Sequence, residues 1–254
     1  MNMLMTRWIK VGLLCAALSA SPLLGQTSPG WFLDLETGGA FLGYCDVQIP
    51  GTPDGTRFSL TDDLESSGSL FLRLRAGLNF GKRHTLWVLY APLSIDGSGQ
   101  LPYPIDFNGV TFPADVSLTS NYRFNSYRLS YQYRIKDGDT LKIGLGLTAK
   151  IRDAGIRIEG GGQVSEKTNV GFVPIINFLL DWRFSPGWSL LFEGDALAAP
   201  QGRAEDVFLG LVYRPDAHWS LRAGYRMLEG GSDVEEVYNF ALVNYLSLGA
   251  TYHF

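Results

Sequence analysis

Charged side chains recur on one face of several alternating segments, and ion pairing inside a closed structure is the first chemistry that they suggest. The acidic members are Asp34, Glu36, Asp181, Glu193 and Asp195, and the basic members are Arg73, Arg75, Arg128, Arg134, Lys150, Arg152, Arg183, Arg222 and Arg226. Buried charges need partners, so the pattern predicts an interior filled by charge-assisted hydrogen bonds. The excess of cations leaves a narrow anion-preferring path as the alternative.

Three histidines are the other candidates for acid–base or nucleophilic chemistry. His84 and His218 stand beside short turns, and His253 is the penultimate residue. In an antiparallel meander these three positions fall at the same end, so no Ser–His or Asp–His arrangement is expected at the opposite rim. The sequence therefore predicts no enzyme, and a lipid- or peptide-modifying enzyme remains the second alternative.

Two loop segments are acidic. Asp62, Asp63 and Glu65 lie in "LTDDLESS", and Asp233, Glu235 and Glu236 lie in "GSDVEEV". Carboxylates of this kind are able to bind Ca²⁺ or to bridge lipopolysaccharide phosphates through divalent ions. Neither segment has the spacing of a known calcium loop, so we expect solvated acids, no metal site and no cofactor.

The charged content of the chain is lower than that of typical soluble proteins. Of its 254 residues, 46% are hydrophobic and 18% are charged, and the formal net charge is −4, which offers no basic surface for nucleic acid. Arg7 and Lys10 precede the apolar run 11–18 and a group of small residues, which is typical of a secretory signal peptide over residues 1–25, cleaved between about 20 and 26. The rest, 26–254, is expected to form one domain, and it contains a single cysteine, Cys45.

Alternation with period two recurs through the whole mature chain. The predicted strands are 31–47, 68–80, 84–97, 120–135, 140–158, 170–184, 187–198, 205–214, 218–229 and 241–254. Short turns such as "GKR" and "SPG" alternate with longer segments near 48–67, 98–119, 159–169, 199–204 and 230–240. This organisation predicts an all-β fold, a transmembrane antiparallel up-and-down β-barrel of about ten strands with short periplasmic turns and longer extracellular loops.

Aromatic residues decide which face of the barrel is apolar. On the apolar face, rings collect within a few residues of the short turns, among them Trp31, Tyr133, Trp182, Trp219 and Tyr252. A soluble barrel with an apolar interior gives no reason for such a ring, whereas a headgroup interface suits aromatic side chains. The apolar face is therefore expected to contact lipid and the charged face to line the lumen.

The chain ends with "YLSLGATYHF", which resembles the C-terminal β-signal of Gram-negative outer-membrane proteins in Ser247, Gly249, Tyr252 and Phe254. That resemblance implies recognition by the barrel-assembly machinery. The stretches "GTRFSLTDDL", "RFNSYRLSY", "AAPQGRAEDV" and "EGGSDVEEVYNFA" are similar to a family of Gram-negative outer-membrane β-barrel proteins, and this likeness implies a fold and a bacterial outer-membrane location but no activity.

A structural or interaction role follows as the expected function. The extracellular loops would present the interacting surface, and charged side chains would fill most of the lumen. The first alternative is a narrow channel for a small or apolar solute. Outer-membrane lipid and lipopolysaccharide are the expected surroundings, and the sequence leaves the oligomeric state open.

Overall fold

The computed structural model describes residues 30–200 and 202–254. The predicted signal peptide lies outside the described residues. The strands are β1 Gly30–Gln48, β2 Phe58–Ser59, β3 Ser69–Phe80, β4 His84–Ala91, β5 Ser94–Gln100, β6 Ile105–Phe107, β7 Val110–Phe112, β8 Ser117–Asp137, β9 Leu141–Gly160, β10 Gln163–Ser185, β11 Trp188–Ala199, β12 Gly202–Tyr213, β13 Trp219–Val234 and β14 Val237–His253. None of the described residues belongs to a helix long and apolar enough to cross a membrane.

Ten positions form a closed ring. Neighbours pair antiparallel in the order β1, β3, β4, β8, β9, β10, β11, β12, β13 and β14, and β14 pairs back onto β1. The predicted strand 84–97 is interrupted at Pro92, which has no backbone N–H to donate. β4 therefore pairs with the half of β8 nearer its C-terminus, and β5 pairs with the half nearer its N-terminus. Phe254 N–H donates to Trp31 O at 3.0 Å, so the last residue completes the closure. The predicted ten-stranded up-and-down barrel is confirmed.

The two ends of the barrel differ in their connections. Four turns, at 81–83, 138–140, 186–187 and 214–218, close what we call the turn end, where both ends of the described chain also lie. In the last of these turns, Asp216 Oδ1 accepts from the N–H groups of His218 at 2.7 Å and Trp219 at 2.8 Å. The backbone N–H groups of Trp219 and His218 hold the pKa of Asp216 below its usual value.

The opposite end, which we call the loop end, contains two long connections. Residues 49–68, with the short β2, and residues 101–116, with the β6–β7 hairpin, fold over the barrel and form a cap. Leu60, Leu64, Phe107 and Phe112 of this cap are fully buried in one apolar cluster with the upper lumen residues. The cap is therefore a packed structure with a core of its own.

Three other connections at the loop end are shorter than the sequence suggested. β9 and β10 are separated by two residues, as are β11 and β12, and β13 and β14. The prediction of long loops at 159–169, 199–204 and 230–240 was wrong, because the strands continue past the apolar band as paired hairpins. The polar composition of these stretches reflects exposed strands rather than loops.

Burial shows that the barrel is inverted relative to a soluble protein. Leu70, Leu147 and Leu246 on the outer face are 86%, 67% and 64% exposed, whereas Glu36 and Arg226 inside are 1% and 2% exposed. Outward aromatic rings surround the turn end, with Trp188 against Tyr213 at 4.8 Å and Trp219 against Tyr252 at 4.9 Å between centroids. An apolar outer band with a ring of aromatics is the arrangement of transmembrane barrels.

Candidate functional site

The centre of the lumen is organised by Asp206 of β12. Its carboxylate accepts hydrogen bonds from Arg73 Nη2 at 3.0 Å, from Arg226 Nη1 at 2.6 Å and from Arg128 Nη2. Asp206 is 1% exposed, and each arginine comes from a different strand. Three guanidinium groups on one buried carboxylate leave a local positive charge that further carboxylates must offset.

Glu36 and Asp34 of β1 supply part of that negative charge. Glu36 accepts from Arg226 Nε at 2.7 Å, from Arg222 Nη2 at 3.1 Å and from Ser247 Oγ at 2.7 Å. Asp34 accepts from Arg222 Nη2 at 2.9 Å and from Thr251 Oγ1 at 2.6 Å. β1, β13 and β14 are adjacent in the ring, so this half of the network joins the strands at the closure seam.

The other half of the network crosses the lumen. Arg75 of β3 pairs with Glu193 of β11 at 3.0 Å, and these strands are five positions apart in the ten-position ring, which is the full width of the barrel. Arg128 of β8 pairs with Asp195 of β11 at 2.6 Å. Thr148 Oγ1 donates to the other oxygen of Asp195 at 2.6 Å. The joined side chains form a layer across the barrel, and we call this layer the plug.

Two cavities lie on opposite sides of the plug. The cavity at the turn end has a volume of about 680 Å³ and is lined by polar groups such as Asn79, Lys142 and Arg183. The cavity at the loop end has a volume of about 810 Å³ and is lined largely by apolar residues, with Lys150 and Arg152 among them. The two linings share no residue, because the plug separates them.

Nine of the fourteen residues predicted to face the lumen are joined in the plug. They are Asp34, Glu36, Arg73, Arg75, Arg128, Glu193, Asp195, Arg222 and Arg226. The other five lie outside the plug. Arg134 pairs with Asp137 at 3.3 Å, and Asp181 pairs with Arg214 at 2.6 Å. Arg152 donates a hydrogen bond to Asn169, Arg183 is exposed at the turn end, and Lys150 has no ion pair among the described residues.

Sequence reasoning missed Asp206, although it is the centre of the plug. Glu205 and Asp206 are adjacent acids at the start of the strand, so each parity carries a charge and neither stands out. The signal was in the following residues, because Leu209 and Leu211 face outward and therefore put Asp206 on the inner parity. The prediction also missed polar residues between the arginines, such as Gln132 and Asn177. Gln132 Nε2 donates to Asn177 Oδ1 at 3.0 Å.

The histidines and the last strand have defined surroundings. His84 Nδ1 lies 2.8 Å from Tyr131 Oη, and His218 Nδ1 lies 2.8 Å from His253 O, all at the turn end. Ser247 bonds Glu36, and a Cβ on Gly249 would lie 2.7 Å from the Arg222 guanidinium. The four residues of the C-terminal pattern thus have places in the fold, and their recognition as an assembly signal stays a prediction.

The fold and the plug define a class: a transmembrane antiparallel β-barrel with a lumen crossed by ion pairs. The outer membrane protease OmpT from Escherichia coli is similar in fold, with a TM-score of 0.60 and 8% identity over 91% of this chain and 99% of that chain. Ail from Yersinia pestis also matches, with a TM-score of 0.40 and 12% identity over 88% of this chain and 99% of that chain. An outer membrane channel from Pseudomonas putida F1 matches with a TM-score of 0.42 and 10% identity over 92% of this chain and 100% of that chain. Neither a protein-family model nor a curated protein matches the sequence.

Proposed function

We propose that this protein resides in the bacterial outer membrane as a non-conducting barrel, with a structural or interaction role carried by its cap. The turn end faces the periplasm and the loop end faces the outside, as in barrels with short periplasmic turns. The outward apolar band and its aromatic ring support this placement. Outer-membrane lipid and lipopolysaccharide surround the band, and the barrel-assembly machinery inserts it.

The observation that carries the closed state is the continuous plug. Arg75 and Glu193 bridge the full width of the ring, and Asp206 gathers three arginines between them. Each guanidinium is held by at least one carboxylate, so moving one aside would leave a buried charge without a partner. Such a layer disfavours the passage of a hydrated ion, and this argues against the narrow-channel alternative.

The interaction role is supported by the order within the cap. Because Leu60, Leu64, Phe107 and Phe112 are buried, the polar surface above them has a fixed shape. A preformed surface binds a partner at a lower cost in conformational entropy than mobile loops do. The cap also carries Asp62 and Glu65, whose exposed side chains add negative charge to that surface.

A role without catalysis is part of the proposal. His84 and His218 contact a tyrosine hydroxyl and a backbone carbonyl, and both belong to the turn end, away from the outside. A lipid or peptide hydrolase would need a histidine beside a nucleophile in a substrate-facing cavity. Replacing His84, His218 and His253 together should therefore leave the function of the protein unchanged.

Planar-bilayer recording tests the closed state. The purified barrel, shown to be inserted by the heat-dependent shift of its gel mobility, should give no current steps above baseline. A matched variant, Lys142→Met at the turn end, should behave in the same way because Lys142 lines a cavity outside the plug. Reproducible steps from the unmodified barrel would mean that the plug opens and that the channel alternative is right.

A further inference from the structure

The barrel wall is incomplete between β10 and β11. Their pairing runs from Ser185↔Trp188 only to Ile176↔Ala196. Beyond that point β10 continues for residues 163–175 paired with β9 alone, and β11 continues to Ala199 paired with β12 alone. We call the gap between residues 163–175 and 197–199 the slot. Membrane barrels normally leave no unpaired edge, so a slot in the wall needs a reason.

Pro174 marks the slot in the sequence. It occupies β10 two residues beyond the last pair with β11. Proline has no N–H to give to a ladder and is found in sheets almost only on edge strands. The residue type therefore agrees with an edge at this point, and continued pairing of β10 with β11 would lack a donor here.

The lower part of the slot opens at the depth of the apolar band. At the lower end of the slot, Ile176 of β10 pairs with Leu147 of β9, which pairs with Tyr131 of β8. Four residues further along β10, Phe172 pairs with Ile151, which pairs with Tyr127. Leu147 and Phe172 are 67% and 66% exposed on the outer face. In the proposed orientation this depth is the outer leaflet of the membrane.

The loop-end cavity reaches the outside through the slot. Its lining includes Phe172 and Pro174, which belong to the outer parity of β10, and also Val173, which belongs to the inner parity. A space that touches both faces of one strand passes around the edge of that strand. Inside the barrel its walls are largely apolar, with contributions from Leu197, Leu228, Ala241 and Val243. Its volume of about 810 Å³ lies within the range of about 300–1,000 Å³ of small-molecule sites.

A lysine that has no ion pair among the described residues, Lys150, lines the same cavity. The plug contains five carboxylates, Asp34, Glu36, Glu193, Asp195 and Asp206, and five guanidinium groups, Arg73, Arg75, Arg128, Arg222 and Arg226, so it balances without Lys150. Lys150 is 2% exposed, and within the described residues its Nζ makes no hydrogen bond or ion pair and lies 4.9 Å from the centroid of the Phe124 ring. It also pairs in register with Arg128, a like charge.

Arg152 adds an unsatisfied donor beside Lys150. It is the next residue on the inner parity of β9, and one of its Nη atoms donates to Asn169 while its Nε is buried without a hydrogen-bond partner. The nearby carboxylate of Glu229 is already occupied, because Arg203 Nε and Nη2 donate to it at 2.7 and 2.6 Å. Two cationic donors at the end of an apolar cavity match an anionic head group followed by a hydrocarbon chain.

We propose that the loop-end cavity binds a single-chain alkyl carboxylate, a molecule of the fatty-acid class. Its carboxylate accepts from Lys150 Nζ and Arg152, and its chain leaves through the slot between Phe172 and Leu197 into the outer leaflet. A carboxylate has two acceptor oxygens, one for each of the two donors that stand on consecutive inward positions of one strand. This binding goes beyond the interaction role of the cap, and it does not depend on whether the plug conducts.

Electron paramagnetic resonance in lipid nanodiscs tests the site. The probe is stearate with a spin label near the end of its chain, and binding appears as an immobilised component of the spectrum. Lys150→Met removes the charge and preserves the length of the side chain, and it should weaken binding by about tenfold or more, the value of one charge-assisted hydrogen bond. The control, Lys142→Met, changes the same residue type on the same face of β9 beyond the plug and should leave affinity unchanged.

The chemistry of the head group is tested by competition. The methyl ester of the same labelled chain should bind the unmodified protein no better than labelled stearate binds Lys150→Met. Palmitate should displace the probe and dodecyl phosphate should not. Equal binding of stearate to the protein and to Lys150→Met, equal binding of the ester, or displacement of the probe by dodecyl phosphate would each overturn the proposal.

The lateral route has its own test. Pro174→Cys and Ala198→Cys, in a Cys45→Ala background, place thiols on both sides of the slot for a short bis-maleimide. Closing the slot over bound stearate should slow its exchange by about tenfold or more. An exchange rate unchanged by the bridge would mean that the ligand enters from the loop end, and the lateral route would be wrong.

Discussion

Replacing Asp206 by Asn removes one charge from the plug with almost no change in volume. In the unmodified protein this carboxylate accepts hydrogen bonds from Arg73 at 3.0 Å, from Arg226 at 2.6 Å and from Arg128. Arg226 keeps Glu36 and Arg128 keeps Asp195, but Arg73 is left with Glu36 at 3.7 Å as its nearest carboxylate. Removing one partner from a buried ionic cluster costs about 3–5 kcal/mol. We expect Asp206→Asn to lower the free energy of unfolding by that amount.

Guanidinium-induced unfolding in detergent micelles, followed by tryptophan fluorescence, measures the change. The matched control is Glu159→Gln, because Glu159 pairs with Arg157 at 2.7 Å with both side chains about half exposed. An exposed pair is worth roughly 0–1 kcal/mol, so the control should lie near the unmodified protein. Adding Arg128→Met to Asp206→Asn restores the charge balance and should recover about 0.5–3 kcal/mol relative to the sum of the single changes. A cost for Asp206→Asn equal to that of Glu159→Gln would refute the view that the plug stabilises the barrel.

Two further changes test the faces of the barrel and the last strand. Leu145→Arg on the outer face, near the midplane, should lower the free energy of unfolding in lipid vesicles by about 2–4 kcal/mol. Thr119→Arg, at a position that is exposed beyond the apolar band, should lower it by less than about 0.5 kcal/mol. Equal costs for the two changes would mean that the apolar band is placed wrongly. Gly249→Ala should cost about 1–3 kcal/mol because its Cβ would displace Arg222 from Asp34, and Gly39→Ala, which meets nothing within 4 Å, should be close to neutral in the same unfolding measurement.

The ten positions of the ring and the direction of the strand faces were predictable because strand periodicity is a local property. Leu141, Ile143 and Leu145 alternate with Lys142 and polar or small residues, and period two assigns each set to one face without knowledge of any partner strand. The turn residues located the four short connections for the same reason. Strand ends were less accurate at the loop end, because paired hairpins above the membrane have the polar composition of loops.

The assignment of charged residues to the interior was also predictable, but their partners were not. Parity alone placed Arg75 and Glu193 inside. Their 3.0 Å contact joins strands that are more than a hundred residues apart in sequence, and it depends on the ring having ten positions. Asp206 was missed because its importance arises from three arginines on other strands, which no local pattern contains.

The sequence by itself determined that the protein is an inverted barrel, since alternation, turns and aromatic placement act within single strands and their neighbours. Only the tertiary structure decided that the charges balance five against five, that Lys150 has no ion pair among the described residues, and that β10 separates from β11 at Pro174. Those features depend on distances across the lumen and on register between strands, and both are set only when the ring closes.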